Sequence, residues 1–140
     1  MAFSLDHVGV VVRDLDEAVH RFGTQFGWSA IGSPERLDHL GVTVAYLRNG
    51  ADDTLVQVVC PTAPGPLWEH LDAQGEGLHH LCYAVDNIQA MAAAMAPGSA
   101  LNIVRGGRGR LACFLPEPTV GVRIELTEAR PSFGGFDGKA

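Results

Sequence analysis

The chain has 140 residues, 46% hydrophobic and 19% charged, with a formal net charge of −6. That length suits one domain with a sizeable core. Sixteen acidic residues against ten basic ones argue against nucleic acid as the main partner, since phosphate binding needs a basic face, and no apolar run is long enough to cross a bilayer.

Residues 4–12 are Val-rich and bounded by Ser4 and Asp14, which predicts a strand. In 14–26, "DLDEAVHRFGTQF", Leu15, Ala18, Val19, Phe22 and Phe26 recur at helical spacing behind a capping Asp14, and Gly27 suits the helix end. Short strands are expected near 28–33, 42–48 and 53–60, separated by the turn signals "GSPE" and "NGADD". The linker "PTAPGP" leads to a short helix over 66–74 that should bury Trp68 and Leu71. After Gly77 come a strand at 78–85 and a helix at 86–96, opened by Asp86 or Asn87 and stopped by Pro97 and Gly98. Strands near 101–105, 110–115 and 121–127 follow, and the Gly-rich tail, 129–140, has no periodicity and is expected to be loosely held. Cys60, Cys82 and Cys113 lie inside apolar runs and read as reduced thiols of a cytoplasmic protein. The opening "MAFSLDHVGV" lacks the basic flank and long apolar core of a signal peptide.

The pattern restarts. "LDHVGVVV" at 5–12 has the shape of "LHHLCYAV" at 78–85: His7 and His80 differ by 73, and the same offset pairs Leu5 with Leu78 and Val12 with Val85. An offset of 68 pairs "AYL" at 45–47 with "CFL" at 113–115, and Gln57 with Glu125. The chain therefore reads as a single domain, 1–140, made of two strand–helix–strand–strand–strand copies at about 4–60 and 78–128. One copy could not bury both faces of its sheet, so two must pack together.

The repeat singles out His7 and Gln57 in the first copy, His80 and Glu125 in the second. All four are polar residues on predicted strands amid apolar neighbours. Alternation puts Leu55, Gln57 and Val59 on one face, with Val56 and Val58 on the other. If the copies are related by a two-fold, two imidazole nitrogens and two oxygens converge, a set that suits one borderline divalent metal: Co, Zn, Ni, Mn or Fe. His79 points away from His80 by the same alternation.

The stretches "LDHVGVVVRDLDEAV", "FGW", "GVTVAYL", "GEGLHHLCYAVDNI" and "GVRIELTE" resemble the vicinal oxygen chelate proteins, the glyoxalase and bleomycin-resistance superfamily. Within it they are most similar to methylmalonyl-CoA epimerases. The resemblance implies an α+β fold of two βαβββ modules, forming an open, cupped mixed sheet around one metal. It also implies His7, Gln57, His80 and Glu125 as the metal ligands. Two departures stand out. The "FLHPK" segment usual before the last strand is here "FLPEPTVG". Some epimerases place a glutamate base three residues after the Gly of the "GV" pair, where this chain has Val44.

The stretch "RGGRGR" carries Arg105, Arg108 and Arg110, either a clamp for a substrate carboxylate or phosphate, or a solvated hairpin loop. The expected activity is metal-dependent abstraction of an α-proton next to a carbonyl, with Glu125 as a ligand that also serves as general base. A second proton carrier is less evident; Glu76, Tyr46 and a metal-bound water are the options. A glyoxalase I-type lyase, an extradiol-type dioxygenase and a non-catalytic binding or resistance protein are the alternatives. The expected partners are a small-molecule substrate, an acyl-CoA or other carboxylate, and a second copy of the chain in a homodimer, with neither nucleic acid nor membrane.

Overall fold

The computed structural model describes residues 3–129; the rest of the expected loose tail, 130–140, lies outside the described residues. The described residues form two compact units, one of His7–His79 and one of residues 3–6 together with 80–129.

The His7–His79 unit contains most of β1 (Ser4–Val11), then α1 (Leu15–Phe26), β2 (Ser29–Ala30), β3 (Glu35–Leu37), β4 (Val42–Arg48), β5 (Leu55–Pro61) and α2 (Pro66–Gln74). Its strands run in the order β2–β4–β5–β1, with β3 also on β4. Strands β4 and β5 are antiparallel, whereas β5 and β1 are parallel, as a crossover through α1 requires. Asp14 caps α1 by accepting from the Glu17 N–H, and Gly27 ends it in the left-handed region at φ 73. Alternation sorts the sheet as expected. Val56 and Val58 join Ala45, Leu47 and Val12 beneath Leu15, Ala18, Val19 and Phe22 of α1. On the other face Leu55 and Val59 join Val11, Val42, Val44, Tyr46 and Leu71.

Two expectations are corrected here. The strand expected at 28–33 is only Ser29–Ala30, because Gly32 turns the chain at φ 68, and an unexpected short strand, Glu35–Leu37, follows Pro34, which has no N–H to give a ladder. Trp68 is 42% exposed; Leu67 and Leu71, spaced i and i+4, take the inward face of α2 instead. Phe26, the last residue of the helical stripe, is 55% exposed and stacks on Trp28 at 4.9 Å between ring centres.

The second unit contains most of β6 (Gly77–Val85), then α3 (Ile88–Met95), β7 (Val104–Arg105), β8 (Leu111–Phe114) and β9 (Ile124–Glu128). The strand order is β6–β9–β8–β7, with β6 and β9 parallel and the other pairs antiparallel. Asn87, not Asp86, caps α3, accepting from the Ala90 N–H. Val85, Ile88, Ala92, Leu111, Cys113 and Leu126 form its core. The strand expected at 101–105 is only two residues long, since Leu101 and Ile103 pack against this core instead of extending the ladder. The architecture is thus α+β, each unit following the β-α-β-β-β order, with β3 an addition in the first. No helix among the described residues is long and apolar enough to cross a membrane.

Candidate functional site

His7 and Gln57 are buried, at 3% and 7% exposure, on the face of their sheet opposite α1. A buried amide and imidazole demand partners, and Tyr46, itself 5% exposed, meets both. Tyr46 and Gln57 stand directly across the β4–β5 ladder, and Gln57 Nε2 donates to the Tyr46 hydroxyl at 3.1 Å. The Tyr46 ring meets His7 edge-on, 5.6 Å between centres and 79° between planes. With Nε2 committed, the Gln57 amide presents Oε1 as its acceptor.

In the other unit, His80 of β6 and Glu125 of β9 face each other. His80 Nε2 lies 3.2 Å from Glu125 Oε1, with their side chains 4% and 15% exposed. Parallel pairing aligns Cys82 with Glu125, so alternation brings His80, two residues earlier on β6, to the same face as the carboxylate. The Phe114 ring stands edge-on to His80 at 5.2 Å. Burial, and then the Glu125 charge, push the Cys82 thiol well above the ordinary thiol range. The same two causes in the same order raise Cys113 to about 11. Burial also raises Cys60. All three are free thiols and, on these shifts, neutral near pH 7.

The arginine loop is folded onto its own unit. Arg105 Nη1 donates to the Gly109 carbonyl at 2.5 Å. Arg108 reaches Asp6 through both terminal nitrogens, at 2.5 and 3.3 Å, and Arg110 Nη1 reaches the same carboxylate at 3.4 Å. Of the remaining residues, Glu76 accepts from the Arg13 N–H at 2.8 Å. It lines a groove of about 450 Å³ with Val10, Val12, Glu17, Arg21 and Phe22, on the α1 side of the sheet. The His79 ring meets the His70 ring of α2 at 4.8 Å.

Sequence reasoning missed two partners. Asp6 sits beside His7, but a carboxylate that meets arginines 102 and 104 positions away leaves no local signal. The Tyr46–Gln57 bond had one: the two residues lie symmetrically about the "NGADD" turn on adjoining strands.

A bound cation would need nitrogen and oxygen donors a few ångströms apart. A His nitrogen and a carboxylate oxygen, each about 2.1 Å from one ion, stand roughly 3 Å from each other when adjacent in its coordination sphere. The His80–Glu125 spacing of 3.2 Å fits this, and the Gln57 carbonyl and His7 imidazole are donors of compatible chemistry.

Residues 6–114 match the Glyoxalase/Bleomycin resistance protein/Dioxygenase superfamily. The chain is 29% identical over 133 residues to the ethylmalonyl-CoA/methylmalonyl-CoA epimerase of Cereibacter sphaeroides, covering 89% of this chain and 96% of that protein. Its fold is similar to the crystal structure of methylmalonyl-CoA epimerase from Mycobacterium tuberculosis, with a TM-score of 0.81, 29% identity, and coverage of 92% and 88% of the two chains. It is also similar to a Streptomyces coelicolor methylmalonyl-CoA epimerase variant in complex with 2-nitronate-propionyl-CoA, with a TM-score of 0.76, 28% identity, and coverage of 89% and 96%. The fold is that of the vicinal oxygen chelate proteins, and the chain belongs to the glyoxalase, bleomycin resistance protein and dioxygenase superfamily.

Proposed function

We propose that the protein is a divalent-metal-dependent epimerase that abstracts the α-proton of an acyl-CoA thioester such as methylmalonyl-CoA. His7, Gln57, His80 and Glu125 are assigned as the metal ligands, and Glu125 as the catalytic base. The observation that carries the reading is the buried His80–Glu125 pair. A nitrogen and a carboxylate held this way are costly in a purely structural role and useful at a cation. The likeness to acyl-CoA epimerases over nine-tenths of the chain supports the substrate class.

A bound divalent cation supplies Lewis-acid stabilisation of the charge that develops on the thioester oxygen as the proton leaves. The protein does the rest. Glu125 accepts the α-proton from one face of the carbon, and a proton delivered by solvent water to the opposite face completes the inversion. His80 stands 3.2 Å from the Glu125 carboxylate as the neighbouring ligand in this assignment. Arg110 is assigned to the anionic end of the substrate. Its single contact to Asp6 is long, at 3.4 Å, and its buried Nε has no hydrogen-bond partner among the described residues.

The test is incubation of metal-loaded protein with methylmalonyl-CoA in deuterium oxide. The expected result is deuterium at C2 with loss of chiral purity, both abolished by chelator and restored by added metal. Absence of exchange at C2 with every metal of the series would overturn the reading.

A further inference from the structure

We infer that Phe114 is a specificity-determining residue whose open ring is the surface against which the α-alkyl group of the substrate rests. The inference rests on the epimerase reading proposed above.

Phe114 stands directly across the β8–β9 ladder from Glu125. Directly opposed residues of an antiparallel pair put their side chains on one face of the sheet. The chain neighbours of Phe114, Cys113 and Leu115, turn the other way, into the core formed with Ile88 and Ala92 of α3. The Phe114 ring meets His80 edge-on at 5.2 Å between centres. It is nevertheless 41% exposed, whereas His80 is buried. On the other side of Glu125, the residue in register on β6 is Cys82, which is fully buried. Of these two ladder neighbours of the carboxylate, Phe114 is therefore the one with apolar surface to offer a ligand. The carbon that gives up its proton carries four groups. The hydrogen goes to Glu125, and two others are carbonyl carbons whose oxygens call for polar partners. The alkyl group alone gains from an apolar wall, and Phe114 supplies one beside Glu125. Burying one CH2 against such a wall is worth about fourfold in kcat/KM.

The experiment compares malonyl-CoA, methylmalonyl-CoA and ethylmalonyl-CoA, whose α-substituent grows from hydrogen by one carbon at a time. Deuterium uptake at C2 above the protein-free rate is followed in deuterium oxide with the metal-loaded full chain. For each thioester, kcat/KM of wild type is divided by that of Phe114→Ala, so that the intrinsic acidity of C2 cancels. The quotient should rise along the series by about two- to fourfold per carbon. If Phe114→Ala does not fold, Phe114→Leu and Phe114→Gln, close to each other in size, carry the same test: the quotient should rise less for the apolar variant than for the polar one. A quotient equal for all three thioesters would overturn the inference, reducing Phe114 to packing against His80. A quotient that falls along the series would also overturn it, making the ring an obstacle to the alkyl group instead of its rest. Absence of uptake by wild type with all three thioesters would overturn the epimerase reading itself.

Discussion

The Asp6 carboxylate grips the guanidinium of Arg108 with two hydrogen bonds, across 102 positions of sequence. The pair is largely buried, with side chains 20% and 11% exposed. Arg108 holds φ 60, a conformation that side chains other than glycine seldom adopt. A forked, charge-assisted contact offsets that backbone cost. Arg108→Ala should therefore destabilise the protein by about 1.5–3 kcal/mol, the range for hydrogen bonds to a charged group. Arg108→Lys should recover only part of this, because an ammonium cannot match the fork. Urea-unfolding midpoints of the two variants check it. Wild-type midpoints for both would remove the pair from any structural role.

Arg110 should behave differently although it meets the same carboxylate. Its single 3.4 Å contact contributes little to folding. If it binds the anionic end of an acyl-CoA, Arg110→Ala should raise KM by roughly tenfold or more, the effect of losing a charge-assisted hydrogen bond. Metal content and unfolding midpoint should stay near wild type. Steady-state kinetics beside metal analysis separates the outcomes: unchanged KM would return Arg110 to a loop-bracing role.

His80→Ala should lower metal affinity by at least ~10-fold, since removing a ligand cannot cost less than removing the group behind one. Metal retained after dialysis against chelator is the measurement. Full stoichiometry in the variant would exclude His80 as a ligand.

Much of this was legible because strand alternation and helix capping are local. Asp14 and Gly27 bound α1 as their chemistry demands, and "LVQVVCP" placed Gln57 on the face of Leu55 and Val59 without knowledge of any neighbour. What escaped depended on choices between near-equal alternatives or on distant partners. Leu67 and Trp68 are both apolar, and only packing decides which of two adjacent positions turns inward. Phe26 fits the helical stripe, yet Trp28 captures it by stacking outside the core. For Asp6, no periodicity connects β1 to a loop a hundred residues on.

The thiols make stability fall at high pH. Burial and then Glu125 raise Cys113 to about 11, from an ordinary 9.0. A raised acid pKa means the folded state keeps its proton where the unfolded chain has lost one. The contribution is fully present below pH 9.0, declines as pH rises and is lost once about 11 is passed. Urea midpoints measured from pH 7 to 10.5 should therefore fall less steeply for Cys113→Ala than for wild type. Parallel curves would show that the thiol ionises equally in both states.

The last prediction concerns Val44, the position where some epimerases place a glutamate. In this chain Val44 is 2% exposed, packed with Val11, Val42, Tyr46, Val59 and Leu71. It lies directly across the ladder from Val59, a cross-strand pair in which two β-branched side chains fill each other's space. A carboxylate there would lose its water among four aliphatic side chains and gain no cation, with the Tyr46 hydroxyl the one polar group of those five neighbours. Val44→Glu should accordingly cost about 2–5 kcal/mol at neutral pH and should not raise epimerase turnover. The sign of its pH dependence follows from burial. The folded-state pKa would stand above the unfolded value of about 4.3, so the variant approaches wild-type stability only at acid pH and loses ground as pH rises. Val44→Leu, apolar and slightly larger, should cost less than about 3 kcal/mol with no such pH dependence. Unfolding curves of both variants at pH 5 and pH 8 decide the matter. A Val44→Glu protein as stable as wild type at pH 8, and faster, would mean that position 44 reaches the reaction centre rather than lying sealed in the packing beside it.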